Sequence, residues 1–257
     1  MTTGEDKTAV VTGGSSGIGR AIVSRLVAEG YKVGFFGTSG GKVEALLRTL
    51  REEGAGDRAL GDVVDIRSPE QVEDFLSQVQ RNLGEISILV NNAGISPKAD
   101  GKRIAVHGTT LDGWNDVLAV NLTGAFLCTR LVLPGMVERR FGRLVMIGSM
   151  ASRGLPRFAG AAYVASKSGL AGFVRALAAE YASFGITANT VAPGNIATEM
   201  TGGPSSPQNR AAVSTIPAGR IGEAGDLAGI VTFLCSQEAG FINGATVDVT
   251  GAEYVAL

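Results

Sequence analysis

Tyr163 and Lys167 stand four positions apart in the run Tyr163-Val164-Ala165-Ser166-Lys167. Residues 160–181 carry helical periodicity, which puts both side chains on one helix face. A phenol ionises near pH 10 in water, about the reference value, and an ammonium beside it favours the phenolate and lowers that value. A phenol tuned this way can exchange a proton near neutral pH, as a general acid and base must. Ser149, a short way upstream, offers a second hydroxyl. The same spacing also describes a surface tyrosine and a solvated lysine on an amphipathic helix, so the pair alone leaves both readings open.

The elements that would position these residues begin with Thr8-Ala9-Val10-Val11-Thr12, a β-prone run without charge, fit for a strand buried on both faces. It runs into Gly13-Gly14-Ser15-Ser16-Gly17-Ile18-Gly19, and Ile18, Ile22, Leu26 and Val27 then form a helical stripe that stops at Gly30. Strand, glycine turn and helix form the context in which such a run binds phosphate. Glycines let the backbone approach a pyrophosphate, and the helix N-terminus supplies amide N–H groups and partial positive charge. An ordinary tight turn between strand and helix is the plainer alternative.

Further strands are expected at residues 32–37, 58–65, 86–90, 142–148, 186–191 and 246–249, and helices at 42–53, 68–83, 111–138, 160–181 and 224–235. Ser68-Pro69 has the cap and first-turn proline of a helix start. The expected fold class is α/β: a single doubly wound, Rossmann-type parallel sheet of about seven strands with helices on both faces. Residues 1–257 read as one domain, with 95–110 a patternless loop and 195–217 a substrate flap. Ser149 and Pro193-Gly194 each follow a strand, so a parallel sheet gathers them at its carboxyl edge, where ligands bind. The segment after the second strand, Gly37-Thr38-Ser39-Gly40-Gly41-Lys42, contains no acid to hold a ribose 2′-hydroxyl, which points to NADP(H) in preference to NAD(H).

Composition narrows the function classes. Of 257 residues, 45% are apolar and 18% charged, enough for a sizeable core, and the 37 glycines fall between periodic segments without a repeat. A net charge of -1 gives no reason to expect nucleic acid or an anionic membrane surface as partner. One histidine, His107, and two distant cysteines, Cys128 and Cys235, make no metal-ligand cluster. The polar N-terminus is unlike a signal peptide, and no apolar run was expected to reach the roughly 20 residues of a membrane span, so a cytoplasmic protein is anticipated.

Taken together, Thr12 to Gly19, Asn91-Asn92-Ala93-Gly94, Asn121, Ser149, Tyr163 with Lys167, and Pro193-Gly194 with Thr198 resemble the short-chain dehydrogenase/reductase family over the whole chain. Within it the chain is most similar to the 3-oxoacyl-carrier-protein reductase group, through Pro217 to Gly222 and Gly244 to Val249. The resemblance implies interconversion of a ketone and a secondary alcohol by hydride transfer. It implies Tyr163 as acid/base, Lys167 as modulator of Tyr163 and holder of the nicotinamide ribose, Ser149 as donor to the substrate oxygen, and Asn121 as holder of a proton-relay water. Gly13, Ser15, Ser16, Gly17, Ile18 and Gly19 would cradle the pyrophosphate, with Thr38 beside the adenosine ribose. Asp65 and Ile66 would flank the adenine, Asn91, Ala93 and Gly94 the adenosine side, and Pro193, Gly194, Ile196 and Thr198 the nicotinamide. A homotetramer built on the Asn121 and Tyr163 helices is implied as well.

Three departures accompany the likeness. Ser16 stands where NADP-preferring relatives often carry a basic residue, Asp248-Val249-Thr250-Gly251 replaces the usual Asp-Gly-Gly, and the 95–110 loop, with Lys98, Arg103 and His107, is longer. Two other functions remain open to the sequence: a dinucleotide-binding regulator without catalysis, and an isomerase or dehydratase on the same fold.

Overall fold

Strand β1 (Thr8–Thr12) shows how the molecule is layered. All five residues are buried, with Ala9 and Val11 packing into one hydrophobic cluster and Val10 into another. The period-2 alternation of a strand therefore feeds two cores, one on each face of the sheet. The same split recurs in β4 (Ile86–Asn91), where Ile88 and Val90 oppose Leu89, and in β7 (Gly142–Ile147), where Val145 and Ile147 oppose Leu144 and Met146.

The computed structural model describes residues 7–202 and 207–256. Its main sheet has seven parallel strands in the order β3-β2-β1-β4-β7-β8-β9, with β2 at Lys32–Gly37, β3 at Ala59–Val63, β8 at Ile186–Pro193 and β9 at Thr246–Val249. One face carries α1 (Gly17–Ala28), α2 (Gly40–Glu52) and α8 (Ala224–Cys235). The other carries α3 (Pro69–Leu83), α5 (Gly124–Arg139) and α6 (Ala161–Tyr181). Phe36 and Phe75 meet edge to face at 5.2 Å across the β2–α3 contact, and truncating such a buried ring costs roughly 3–5 kcal/mol. The chain order reverses between β1 and β4, and a cleft opens there at the carboxyl edge, as expected of a doubly wound sheet.

The expected strands and helices form, with three differences. β3 ends at Val63, so Asp65 and Ile66 lie in the loop beyond it. The helix expected over 111–138 is two helices, α4 (Leu111–Leu118) and α5, joined by a π turn at Ala119–Thr123. Asn121 sits in that turn with 1% exposure, and its side chain bonds main chain outside the helix. The 95–110 loop contains a small antiparallel hairpin, β5 (Lys98–Ala99) and β6 (Lys102–Arg103), turned by Asp100 (φ 49°) and Gly101 (φ 72°). Positive φ at both turn residues is the I′ geometry that Asp-Gly favours, a sequence signal the patternless reading passed over. Within the expected flap, α7 spans Pro207–Val213, and residues 203–206 lie outside the described residues.

By length and composition Leu111–Arg139 is apolar enough to cross a membrane, which the sequence reading did not anticipate. In the fold 44% of its most apolar window is buried, and α5 packs on β4 and α3.

Candidate active site

The phosphate turn is shaped by crowding. A Cβ on Gly19 would stand 2.3 Å from the Gly13 carbonyl oxygen, and one on Gly13 (φ 62°) would stand 2.9 Å from Ala93 Cα. Neither position has room for a side chain. Thr12 Oγ1 accepts from the N–H groups of Asn92 (3.0 Å) and Ala93 (2.9 Å), while Asn92 Nδ2 donates to the carbonyls of Thr12 (2.9 Å) and Gly13 (3.0 Å). These bonds lock the ends of β1 and β4 into one rigid lip. The N-cap of α1, Ser16, makes no side-chain capping bond, and the first turn of α1 holds no acid. Its leading N–H groups are thus left for an anion, so the turn fits the pyrophosphate of a dinucleotide.

A cavity of about 470 Å³ runs from this turn along the sheet edge. Gly13, Ser15, Ser16, Gly17 and Ile18 line its floor. Thr38, Asp65 and Ile66 line one end, and Ala93, Gly94, Tyr163, Lys167, Pro193 and Thr198 line the other. Four expected contacts are not brought to its wall. Gly19 is buried under the turn; Asn91 is buried and donates from Nδ2 to Thr129 Oγ1 (3.1 Å). Ile196 is 4% exposed in the core, and Gly194 opens on a second cavity.

The wall also carries residues that were not anticipated, among them Arg67, Glu199 and Met200. Arg67 forks onto Asp65, with Nε to Oδ1 at 2.9 Å and a terminal nitrogen to Oδ2 at 2.7 Å, and holds that carboxyl below its usual range. Its position two residues after Asp65 was the available signal. Glu199 ion-pairs with Lys42 from across the cleft. Their separation of 157 residues leaves no local pattern that would reveal the pairing.

Beyond Met200 lies the second cavity, about 280 Å³, lined in part by Ser149, Tyr163 and Gly194. Tyr163, Pro193 and Met200 border both cavities. β7 delivers Ser149 to the edge, where its Oγ accepts from the Ala151 N–H at 3.1 Å and caps a short 3-10 turn, Met150–Ser152. The Tyr163 phenol stands near the same hydroxyl, whose influence favours its ionised form. Lys167 approaches from the other side. Its Nζ donates to the Ile147 carbonyl at 2.7 Å and lies 5.8 Å from the Tyr163 ring centre. A Cβ on Gly94 would come within 3.3 Å of Lys167 Nζ and 3.4 Å of Asn121 Oδ1, so glycine there lets the ammonium and the amide approach the cleft together.

Asn121 is held on every side. Oδ1 accepts from the Ile95 N–H (2.8 Å), and Nδ2 donates to the Ile95 carbonyl (3.0 Å) and to Ser166 Oγ (3.0 Å). The amide therefore ties the π turn to the Gly94-Ile95 segment and to α6.

The electrostatics differ from the sequence expectation. Burial pushes the Tyr163 phenol up, with the neighbouring Ser149 hydroxyl pulling down, whereas the lysine spacing pointed to a lowered value. Burial also brings Lys167 down to about 8, because its ammonium has left water for a site with a carbonyl partner and no carboxylate. The two shifts reverse the usual order, the ammonium falling from 10.5 while the phenol rises from 10.0, so Lys167 releases its proton before Tyr163 does.

The family model for short chain dehydrogenases matches residues 7–209. A 3-oxoacyl acyl-carrier-protein reductase of Haemophilus influenzae is 40% identical over 252 residues, covering 98% of this chain and 99% of that one. The structure of a 3-oxoacyl acyl-carrier-protein reductase with bound NAD from Brucella melitensis superposes with a TM-score of 0.92 at 33% identity, over 99% of this chain and 93% of the other. A blue fluorescent protein from a metagenomic library, in complex with NADPH, superposes with a TM-score of 0.89 at 32% identity, over 99% and 100%. The chain belongs to the short-chain dehydrogenase/reductase family and is a nicotinamide-dinucleotide-dependent oxidoreductase of CH–OH and C=O groups.

Proposed function

We propose that the protein reduces a small ketone with NADP(H) through Tyr163, Ser149 and Lys167. The observation that carries this reading is the position of Tyr163, the one titratable side chain bordering both the dinucleotide cleft and the second cavity among the described residues. When bound, the nicotinamide supplies the hydride. The substrate carbonyl meets two hydroxyls, Tyr163 and Ser149, which stabilise the negative charge that develops on its oxygen. Tyr163 gives up its proton to that oxygen. Lys167, beside it, stabilises the phenolate left behind and eases the transfer. Asn121 holds the π turn and Ile95 so that Gly94 and Lys167 stay in register, and a proton-relay water next to its carboxamide belongs to the same reading.

The preference for NADP(H) over NAD(H) is part of the proposal. It is supported by Thr38, Ser39, Lys42 and Arg67 at the adenosine end and by the lack of an acid closing β2. A 2′-phosphate would compete with Glu199 for Lys42. A 3-oxoacyl thioester is the first substrate to try, given what the relatives are named for. A cytoplasmic homotetramer is proposed as well, supported by the apolar surface that α5 and α6 share. There Phe126 is 46% exposed and stacks obliquely on Phe173 at 6.2 Å.

A paired NADPH and NADH screen over small ketones, β-keto esters and 3-oxoacyl thioesters tests the reading. Faster oxidation of NADPH with at least one ketone is the expected result. Tight nucleotide binding without turnover across the panel would favour the non-catalytic regulator, and product formed without net nucleotide consumption would favour the isomerase.

A further inference from the structure

The second cavity carries a charge that the reaction does not require. Its wall is largely apolar, from Met150, Leu155, Pro156, Phe158 and Pro193. Three charged chains reach it: Lys98, Arg157 and Glu253. Arg157 is exposed at the mouth. Glu253 is engaged, its two carboxylate oxygens accepting from Asn195 Nδ2 at 2.9 and 2.8 Å, with Thr215 Oγ1 donating at 3.4 Å. Lys98 is half-buried and has no carboxylate partner among the described residues. Its Nζ donates to one acceptor, the Phe158 carbonyl. An ammonium has three N–H donors, so two remain for a ligand. Burial without a counter-ion lowers the Lys98 pKa, the signature of a charge whose desolvation is unrelieved.

The chain builds a dedicated support for this group. The β5–β6 hairpin pairs Lys98 with Arg103, and Arg103 donates from a terminal nitrogen to the Pro156 carbonyl at 2.8 Å. With Lys98 on Phe158, the hairpin is stapled at two points to the 154–159 wall, and the ammonium is fixed on the same cavity as Ser149 and Tyr163.

We propose that Lys98 anchors a carboxylate of the substrate, and that the substrate class is a small oxo acid and its hydroxy acid. This rests on the reading of Tyr163 and Ser149 as the carbonyl site. With Lys98 and Arg157 opposed by Glu253, the wall carries a net charge of +1, which a monoanion balances and a dianion such as a phosphate ester exceeds. The reaction is the family's own: oxo acid, NADPH and a proton give hydroxy acid and NADP+, two electrons passing to the carbonyl carbon as hydride.

The test compares an acid with its ester. Calorimetric titration of 3-hydroxybutanoate and its methyl ester into the NADPH-loaded protein reads binding without turnover. Reduction of 3-oxobutanoate and its methyl ester reads kcat/KM. The wild type should favour the acid over the ester by roughly 10- to 100-fold, the range of a charge-assisted hydrogen bond. Lys98→Met should erase that preference through KM, with the ester losing far less than the acid, and Lys98→Arg should keep most of it. Equal binding of acid and ester by the wild type, or no binding of either, would overturn the proposal. An equal loss on both ligands in Lys98→Met would also overturn it and leave Lys98 as a loop staple. If neither ketone is reduced while the acid still binds through Lys98, the reaction reading fails and the carboxylate site stands.

Discussion

At the pyrophosphate turn of the cleft the wall is largely main chain. Gly13, Gly17 and the opening N–H groups of α1 face it, and Thr12 and Asn92 lock the two strand ends behind them. At the substrate end the wall is side chains on irregular segments: Lys98 on a hairpin, Phe158 on a loop, Met200 on a 3-10 turn and Glu253 near the C-terminus. The first kind of wall is fixed by where glycines and strand ends fall, so its geometry is local and changes little with side-chain identity. The second depends on contacts between residues far apart in sequence, such as Lys98 with Phe158 and Asn195 with Glu253. One end is suited to holding a constant cofactor, the other to varying the substrate. Tyr163 stands where the two meet.

This division predicts that the two ends can be damaged separately. Ser149→Ala removes a donor from the substrate side only. It should lower kcat/KM by roughly 10²–10³, the usual cost of one such donor, and leave the nucleotide dissociation constant within about twofold by fluorescence titration. A loss shared by nucleotide binding would break the division.

Lys167 gives the next largest effect, in stability. An unfolded lysine keeps its proton to 10.5, while buried Lys167 releases it at about 8. Between those values the unfolded state binds more protons, so folded stability rises with pH across the window. Below about 8 both states are protonated and the burial cost is fully felt. The rise is worth about 3 kcal/mol. Urea denaturation at pH 8 and 10.5 should show the wild type gaining that much more than Lys167→Met, and parallel changes in the two proteins would contradict the assignment.

On the nucleotide side, Gly19→Ala forces a Cβ toward the Gly13 carbonyl. Displacing the turn should weaken nucleotide binding by roughly tenfold or more, as overpacking of 1–3 kcal/mol implies, while kcat at saturation changes little. A fall in kcat at unchanged affinity would mean that the turn also shapes the substrate end. The smallest effect belongs to Lys42. Lys42→Ala should weaken NADPH by roughly fivefold, the scale of an exposed ion contact, and leave NADH nearly unchanged; equal losses would remove Lys42 as a phosphate contact.

The contrast also explains what could be read from the sequence. Strand parity in Thr8–Thr12, the glycine turn and the cap at Ser68-Pro69 are local signals, and the structure follows them: Ser68 Oγ accepts from the Gln71 N–H at 3.3 Å as the cap pattern implies. Tyr163, Ser149 and Lys167 come together because strand and helix ends bring them to one edge. The π turn at Asn121 was not legible, since it depends on the amide finding Ile95 and Ser166. Nor was the Lys42–Glu199 pair, which joins two distant segments. The raised phenol followed from burial, a quantity that residue spacing does not report.

The central claim is that Tyr163 does chemistry at the junction without holding the nucleotide in place. Tyr163→Phe, titrated with NADPH and then mixed with the best ketone of the screen in a stopped-flow instrument, tests it most directly. Retained nucleotide affinity with a hydride-transfer rate reduced at least roughly a hundredfold, the lower range of general acid catalysis, is the predicted result. A variant that still reduces the ketone within a few-fold of the wild-type rate would contradict the account.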